Sequence, residues 1–335
     1  MREGNNPHKD LEIKKNDYLF QIVIPVYIPH FEGYFKESFK IFKLSVESVL
    51  KTISYKTFIT IINNGSCKEV KEYLDELICQ GKIHEIVHTE NIGKLNSIIK
   101  GLSGHNIPLV TIADADVLFL EGWQEEVFSI FQNIQSSGVV GLTSQFGMFK
   151  YLCENFLFSN LFNSNLRFEK IVDSESLIRF YDSIGWKRNY NPLYLEYTLK
   201  YNENNKKVIV GSGHFVATYR RELLTDLKTY LPFKLGGISE YYIDKLTLGY
   251  SLNRFTTDKN YAYHMGNVFE DWMQTELDAI KIVEIKKNDL PSIRVRFSKY
   301  RIYKNIFLNK IFNLKWFYRF FIKWKKIPQE YISTF

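Results

Sequence analysis

A chain of 335 residues exceeds what one small core needs and fits a large α/β domain or two lobes. Its net charge of +7 conceals an asymmetry: residues 291–335 hold eleven Lys or Arg and one acid, Glu330, so the tail carries +10 and residues 1–290 carry −3. Cys67, Cys79 and Cys153 form no CxxC pair, no apolar run of about 18 residues could span a bilayer, and the polar N-terminus lacks a signal-peptide centre, so the expectation is a reduced, cytosolic protein.

In chain order, residues 18–24 form an apolar run stopped by Pro25, which predicts a buried strand. Phe39, Phe42, Val46, Val49 and Leu50 recur at helical spacing. Residues 57–62 predict a second strand, closed by the turn signal Asn63-Asn64-Gly65-Ser66. Val70, Leu74, Leu77 and Ile78 mark a second helix, residues 84–88 a short strand, Leu95, Ile98, Ile99 and Leu102 a third helix, and residues 108–113 a fourth strand. This alternation means βαβ units and a parallel sheet. Ligands in such sheets bind beyond the carboxyl ends of the strands. Pro25-Val26-Tyr27, residues 63–66 and Asp114-Ala115-Asp116 should therefore converge on one crevice. Residues 145–205, rich in Asn, Phe and Tyr, read as an irregular lid or acceptor lobe. Regularity returns over 207–219, then a helix from Arg220, a break at Gly236-Gly237, a helix through Leu248 and a short strand over 261–264.

Asp114 and Asp116 stand at i and i+2 after an apolar strand, so their carboxylates point the same way. Hard oxygen ligands suit Mg²⁺ or Mn²⁺ carried with a diphosphate, where the cation neutralises charge on the leaving group. The plain alternative is a solvated loop with two acids.

The order Ile24-Pro25-Val26-Tyr27, then residues 61–66 (Ile-Ile-Asn-Asn-Gly-Ser), then Asn91-Ile92-Gly93-Lys94-Leu95-Asn96 with Gly101, then Ala113-Asp114-Ala115-Asp116-Val117 resembles the nucleotide-binding half of GT-A, family-2 glycosyltransferases. The resemblance spans residues 18–145. It implies an α/β fold with a Rossmann-like, mostly parallel central sheet flanked by helices. The halves would be a nucleotide-sugar-binding part over 17–145 and an acceptor-binding part over 146–275, followed by a basic, aromatic helical tail over 276–335. It implies that Pro25, Val26 and Tyr27 line the nucleotide pocket and that Asn63 meets the base where the family usually has Asp. Asn91, Gly93, Lys94 and Asn96 would approach the donor beside Asp114, Ala115 and Asp116, although Gly93-Lys94 also reads as a plain helix start. Ile99 stands where the family often has a further Asn.

Family members also carry a Gly-rich segment and an acidic pair before Gly-Tyr. This chain has Gly211-Ser212-Gly213-His214, a segment from Gly236 to Asp244, and Gly249-Tyr250, with Tyr241 after Glu240 instead of a second acid. An inverting displacement needs a base for the acceptor proton. Glu240, after the Gly236-Gly237 turn, is the first candidate and Asp244 the reserve; either acid could equally favour a helix N-terminus. His264 resembles the C-terminal histidine that such enzymes place on the metal with Asp116 and Asp114, the alternative being a core histidine. His214 is its rival and could face the acceptor.

In the tail, Trp316, Phe317, Phe320, Phe321 and Trp324 recur at helical spacing among cations. A basic amphipathic helix with Trp suits an anionic membrane interface, a helix packed on the body is the alternative, and the aromatic density argues against a nucleic-acid arm. The expectation is metal-dependent, inverting transfer of a hexosyl or N-acetylhexosaminyl group in surface-polysaccharide synthesis. The donor would be a nucleotide-diphosphate sugar, with UDP favoured, and the acceptor a glycan or lipid-linked glycan at the inner face of the cell membrane. A non-catalytic membrane scaffold with a transferase-like fold is one alternative. A sugar-nucleotide nucleotidyltransferase is another, but it should show a Gly-rich, Arg-containing loop where this chain has Pro25-Val26-Tyr27-Ile28-Pro29. With neither GxxxxGK[ST] nor GxGxxG after the first strand, P-loop ATPases and dehydrogenases drop out.

Overall fold

The computed structural model describes residues 4, 6, 8–12, 16–225, 227, 230–234, 239–282, 284–286, 290, 293 and 295–332. The expected break at Gly236-Gly237 lies outside them.

The first part alternates as its apolar periodicity predicts: β1 (Phe20–Val26), α1 (Ser38–Thr52), β2 (Thr57–Asn64), α2 (Lys68–Cys79), β3 (Glu85–Thr89), α3 (Lys94–Leu102) and β4 (Leu109–Ala113). β1 pairs in parallel with both β2 and β4, and β2 with β3. Six of the seven β1 residues are buried, because helices cover both faces of the strand. That is why it reads as a continuous apolar run instead of alternating.

The chain continues through β5 (Val117–Phe119), α4 (Trp123–Asn133), β6 (Ser137–Gly141), α5 (Glu154–Ser159), β7 (Leu166–Lys170), α6 (Ser174–Ser183), β8 (Tyr197–Glu203), β9 (Lys206–Val210), β10 (Val216–Arg220), α7 (Arg221–Leu224), α8 (Ser239–Asp244), β11 (Asn253–Thr257), β12 (Ala262–His264) and α9 (Asp271–Ala279). The main sheet has ten strands in the order β3-β2-β1-β4-β10-β6-β11-β9-β8-β7. β10 runs antiparallel to β4 and β6, while β6 and β11 are parallel. β7, β8 and β9 form an antiparallel meander. The segment read as irregular thus contributes strands. The β8–β9 hairpin turns at Asn204 and Asn205, both left-handed with φ of 48° and 61°, the pairing an Asn-Asn two-residue hairpin loop favours. The regular stretch over 207–219 is two strands, β9 and β10, with β6 and β11 between them.

Trp123 is fully buried, packs on Phe20 and Phe119, and donates its indole N–H to Thr52 Oγ1 at 3.0 Å. β5 and β12 pair antiparallel in a small second sheet. Cys67, Cys79 and Cys153 are free thiols.

The tail forms α10 (Lys299–Phe312) and α11 (Lys315–Trp324). Both pack on the body. The Asn305 amide donates to Glu154 at 2.8 Å, and Phe317, Phe321 and Ile322 enter the main core. Lys325 Nζ donates to the carbonyls of Asn160 and Asn163 at 2.7 and 2.9 Å, and its own carbonyl accepts from the Phe168 N–H of edge strand β7 at 2.7 Å. Among the described residues no helix is long and apolar enough to cross a membrane.

Candidate active site

Because β1, β2, β3 and β4 are parallel neighbours, their carboxyl ends lie at one edge of the sheet. A cleft of about 580 Å³ opens there, lined by Pro25, Val26, Tyr27, Asn64, Asn91, Lys94, Asp114, Ala115, Asp116 and His264. The loops that shape it are fixed by asparagine side chains. Asn64 Oδ1 accepts the Ile92 N–H at 2.9 Å, and Asn91 Oδ1 accepts the Gly93 N–H at 3.2 Å. Gly65 has φ +88°, and a Cβ there would sit 2.8 Å from the Asn91 nitrogen. Gly93 has φ +91°, and a Cβ would sit 2.5 Å from the Phe233 carbonyl oxygen. These two positions require glycine for both backbone conformation and space. Together they set the first turn of α3, and with it Lys94.

A row of alternating charges starts at the cleft residues Asp114 and Lys94 and continues to Glu240 and His214, which line a small separate pocket with Lys94 and not the cleft itself. Lys94 Nζ lies 2.6 Å from Asp114 Oδ1 and 3.5 Å from Glu240 Oε1. Glu240 Oε2 meets His214 Nε2 at 3.0 Å, and His214 Nδ1 lies 3.4 Å from Asp244 Oδ2. Behind it, Asp244 Oδ1 pairs with Arg254 at 2.7 Å, both side chains buried. The His214 bond holds the Glu240 carboxyl down at about 2, with Lys94 adding to the effect. Burial alone would depress His214, but its bonds to Asp244 and Glu240 prevail and raise it to about 9. Burial would likewise lower Lys94, but Asp114 and Glu240 outweigh it and hold the ammonium above its ordinary range. At neutral pH Lys94, Glu240 and His214 are therefore all charged.

Asp116 and His264 face each other across the strand pair. β12 pairs with β5 so that His264 opposes Val117, and the Met265 N–H donates to the Asp116 carbonyl at 2.8 Å. His264 Nε2 then lies 3.5 Å from Asp116 Oδ2. The Ser183 hydroxyl places its single proton on the Phe180 carbonyl at 2.6 Å, so at 2.9 Å it must accept from His264 Nδ1. A neutral His264 thus presents the lone pair of Nε2 to a carboxylate oxygen. Two acceptors in that position repel unless a proton or a cation joins them. Burial pushes the Asp116 carboxyl up, with the Asp114 charge adding and His264 opposing.

The sequence profile described as glycosyl transferase family 2 matches residues 22–227. The chain belongs to that family. The matched span holds β1 to β10 and the Asp114–Asp116 turn, whereas Glu240, Asp244 and His264 lie beyond it. No curated protein sequence matches the chain. Among solved structures, this family-2 chain is similar to S. aureus TarS 1-349 in complex with UDP-GlcNAc, at 14% identity, 88% of this chain, 66% of that one and TM-score 0.45. It is similar to S. aureus TarS in a longer form, at 15% identity over 74% of this chain and TM-score 0.42, where the match spans 36% of that chain. It is also similar to the mannosyltransferase PcManGT from Pyrobaculum calidifontis in complex with GDP-Man and Mn²⁺, at 12% identity, 73% of this chain, 56% of that one and TM-score 0.41.

The cleft of this family-2 chain gathers most of the residues singled out from sequence, with differences in detail. Asn63 turns away from the cleft: its amide pairs with His88 Nδ1 at 3.0 Å and its oxygen accepts the Ser66 N–H at 2.9 Å, while Asn64 takes the lining position. Asn96 is buried, donating to the carbonyls of Ile92 and Leu231 at 2.8 and 2.7 Å. It ties α3 to the 231 loop. Asp114 is turned onto Lys94 instead of joining Asp116 and His264, and among the described residues no three His, Cys, Asp or Glu form a ready ligand cluster. Asp244 sits behind His214, held by Arg254, whose Nη1 also donates to the Asp244 carbonyl at 2.7 Å. Sequence motifs did not mark Arg254, nor Tyr34 and Lys234, which line the cleft. A buried arginine invites a search for its carboxylate partner, but one 10 positions away is invisible to helical or strand spacing.

Proposed function

We propose that the chain transfers a sugar from a nucleotide-diphosphate sugar to an acceptor hydroxyl in a single inverting displacement. One observation carries this reading: Asp116 Oδ2 and His264 Nε2 lie 3.5 Å apart, and both residues line the cleft that Lys94 also lines. That donor set suits a divalent cation, Mn²⁺ or Mg²⁺. When bound, the ion would supply positive charge against the leaving diphosphate. Pro25, Val26, Tyr27 and Asn64 form the wall where a nucleoside would lie. Lys94 is the ammonium placed to meet the diphosphate. A phosphate that draws Lys94 away from Glu240 removes one of the two cations holding that carboxylate, and so makes it more basic. Glu240 takes the acceptor proton as the acceptor oxygen bonds to the anomeric carbon and the bond from that carbon to the diphosphate breaks. His214, anchored by Asp244, fixes the carboxylate's orientation. The acceptor is a hydroxyl of a glycan or a lipid-linked glycan.

Calorimetric titration with UDP- and GDP-sugars, with and without Mn²⁺, tests this reading. Metal-dependent binding of one donor is expected, weakened on the order of 10–100-fold or more by Asp116→Ala and by His264→Ala. If no nucleotide sugar binds, or if Asp116→Ala binds and turns over as the parent does, the assignment fails.

A further inference from the structure

The buried side of α11 explains only part of its sequence. Phe317, Phe321 and Ile322 face the core. Two further rows run along the exposed side at four-residue spacing, which places the members of each row one above another. One row is Trp316, Phe320 and Trp324, exposed by 68%, 44% and 51%. The other is Lys315, Arg319 and Lys323, all exposed. Phe320 stacks on Trp324 at 6.1 Å, and Phe162, from the loop after α5 and 78% exposed, meets Trp324 edge-on at 6.0 Å. The patch is therefore built from two separate parts of the chain. On α10, Tyr303 and Phe307 are also exposed. Helix α11 contains no acid.

Packing on the body does not account for three large aromatic side chains kept in water beside three cations. An aromatic row flanked by a cationic row is the arrangement that an anionic bilayer surface complements: rings enter the boundary between headgroups and acyl chains, and cations meet the phosphates. We propose that this face of α11, extended by Phe162, is a docking surface for anionic lipid, with the helix lying in the membrane plane. The proposal stands apart from sugar transfer and is read without it.

The test uses the full chain. Sedimentation is measured with phosphatidylglycerol–phosphatidylcholine vesicles and with phosphatidylcholine alone, at low and high salt. The parent should pellet with the anionic vesicles, with its indole emission shifted to the blue, and more weakly at high salt. Lys315→Glu/Arg319→Glu/Lys323→Glu should lose on the order of 100-fold at low salt. Trp316→Ser/Phe320→Ser/Trp324→Ser should bind at least about ten-fold more weakly at both salts and lose the emission shift. These positions are exposed, so thermal melting should be unchanged. If either triple variant fails to fold, Trp324→Ser alone and the salt titration of the parent decide the matter. Equal pelleting of parent and variants, no binding by the parent, or tighter binding to a duplex DNA oligomer than to anionic vesicles would overturn the proposal.

Discussion

At Glu240 two requirements pull against each other. A base must be available to a hydroxyl proton, yet His214 and Lys94 hold this carboxyl at about 2. Glu240→Gln keeps a partner for His214 but cannot take a proton. Donor affinity should persist while turnover falls by roughly 10²–10⁴-fold, measured by calorimetry beside a transfer assay. Near-parental turnover would move the base elsewhere. The same pair has a pH signature. His214 rises from 6.5 to about 9 on folding, so its contribution is complete below about 6.5 and is lost as pH climbs through about 9. Melting temperature should therefore decline across that window in the parent and less steeply in His214→Gln. Glu240 was readable from sequence as an acid near Gly249-Tyr250. Its setting was not, because Lys94 and His214 come from distant elements and only the sheet brings them together.

Among the elements, α8 carries two acids with different work. Glu240 is partly exposed between Lys94 and His214, whereas Asp244 is buried in a pair with Arg254 from β11. Breaking a buried pair leaves an uncompensated charge, so Asp244→Asn should destabilise by about 3–5 kcal/mol. Denaturant melts of Asp244→Asn and Glu240→Gln separate the roles: a large loss is expected for the first and a smaller one, from the weakened pairing with His214, for the second. Equal stability would return Asp244 to candidacy as base. β1, β2 and β4 were legible because burial on both faces leaves continuous apolar runs closed by turn residues, while edge strand β3, with no fully buried residue, was legible only as a short run between two helices. The meander of β7 to β9 was not. Its hairpin depends on Asn204 and Asn205 adopting left-handed backbone, and Asn is common throughout that segment. His264 was recognised by likeness to a family segment, while its approach to Asp116 follows from pairing between β12 and β5, strands of three residues each whose partnership has no periodic signal.

Across the whole molecule, the tail belongs to the body as well as to its surface. Phe321 is fully buried in the same cluster as Phe20 and Trp123. Phe321→Ala should cost about 3–5 kcal/mol in a denaturant melt, as a large-to-small change in a packed core does. A loss below about 1 kcal/mol would mean that the tail docks only weakly. Deleting residues 297–335 would uncover that core, so exposed-face substitutions separate surface binding from folding better than truncation does. Sequence periodicity showed an aromatic, basic helix but not which aromatics face inward, because Trp316, Phe317, Phe320 and Phe321 occupy adjacent rows of the helix and only the body's shape chooses between them.

The hydrogen bond from the Phe168 N–H to the Lys325 carbonyl also sets an order of events during synthesis. β7 is the last strand of the main sheet, and an open strand edge invites pairing with another chain. Its guard is made 157 residues later, which at ordinary elongation rates is a delay of roughly ten to thirty seconds. From the completion of β9 at Val210 until then, the nascent meander presents an edge that Lys325 has yet to meet. The growing chain therefore depends on late completion, and on whatever shields it at the ribosome, to avoid joining its neighbours.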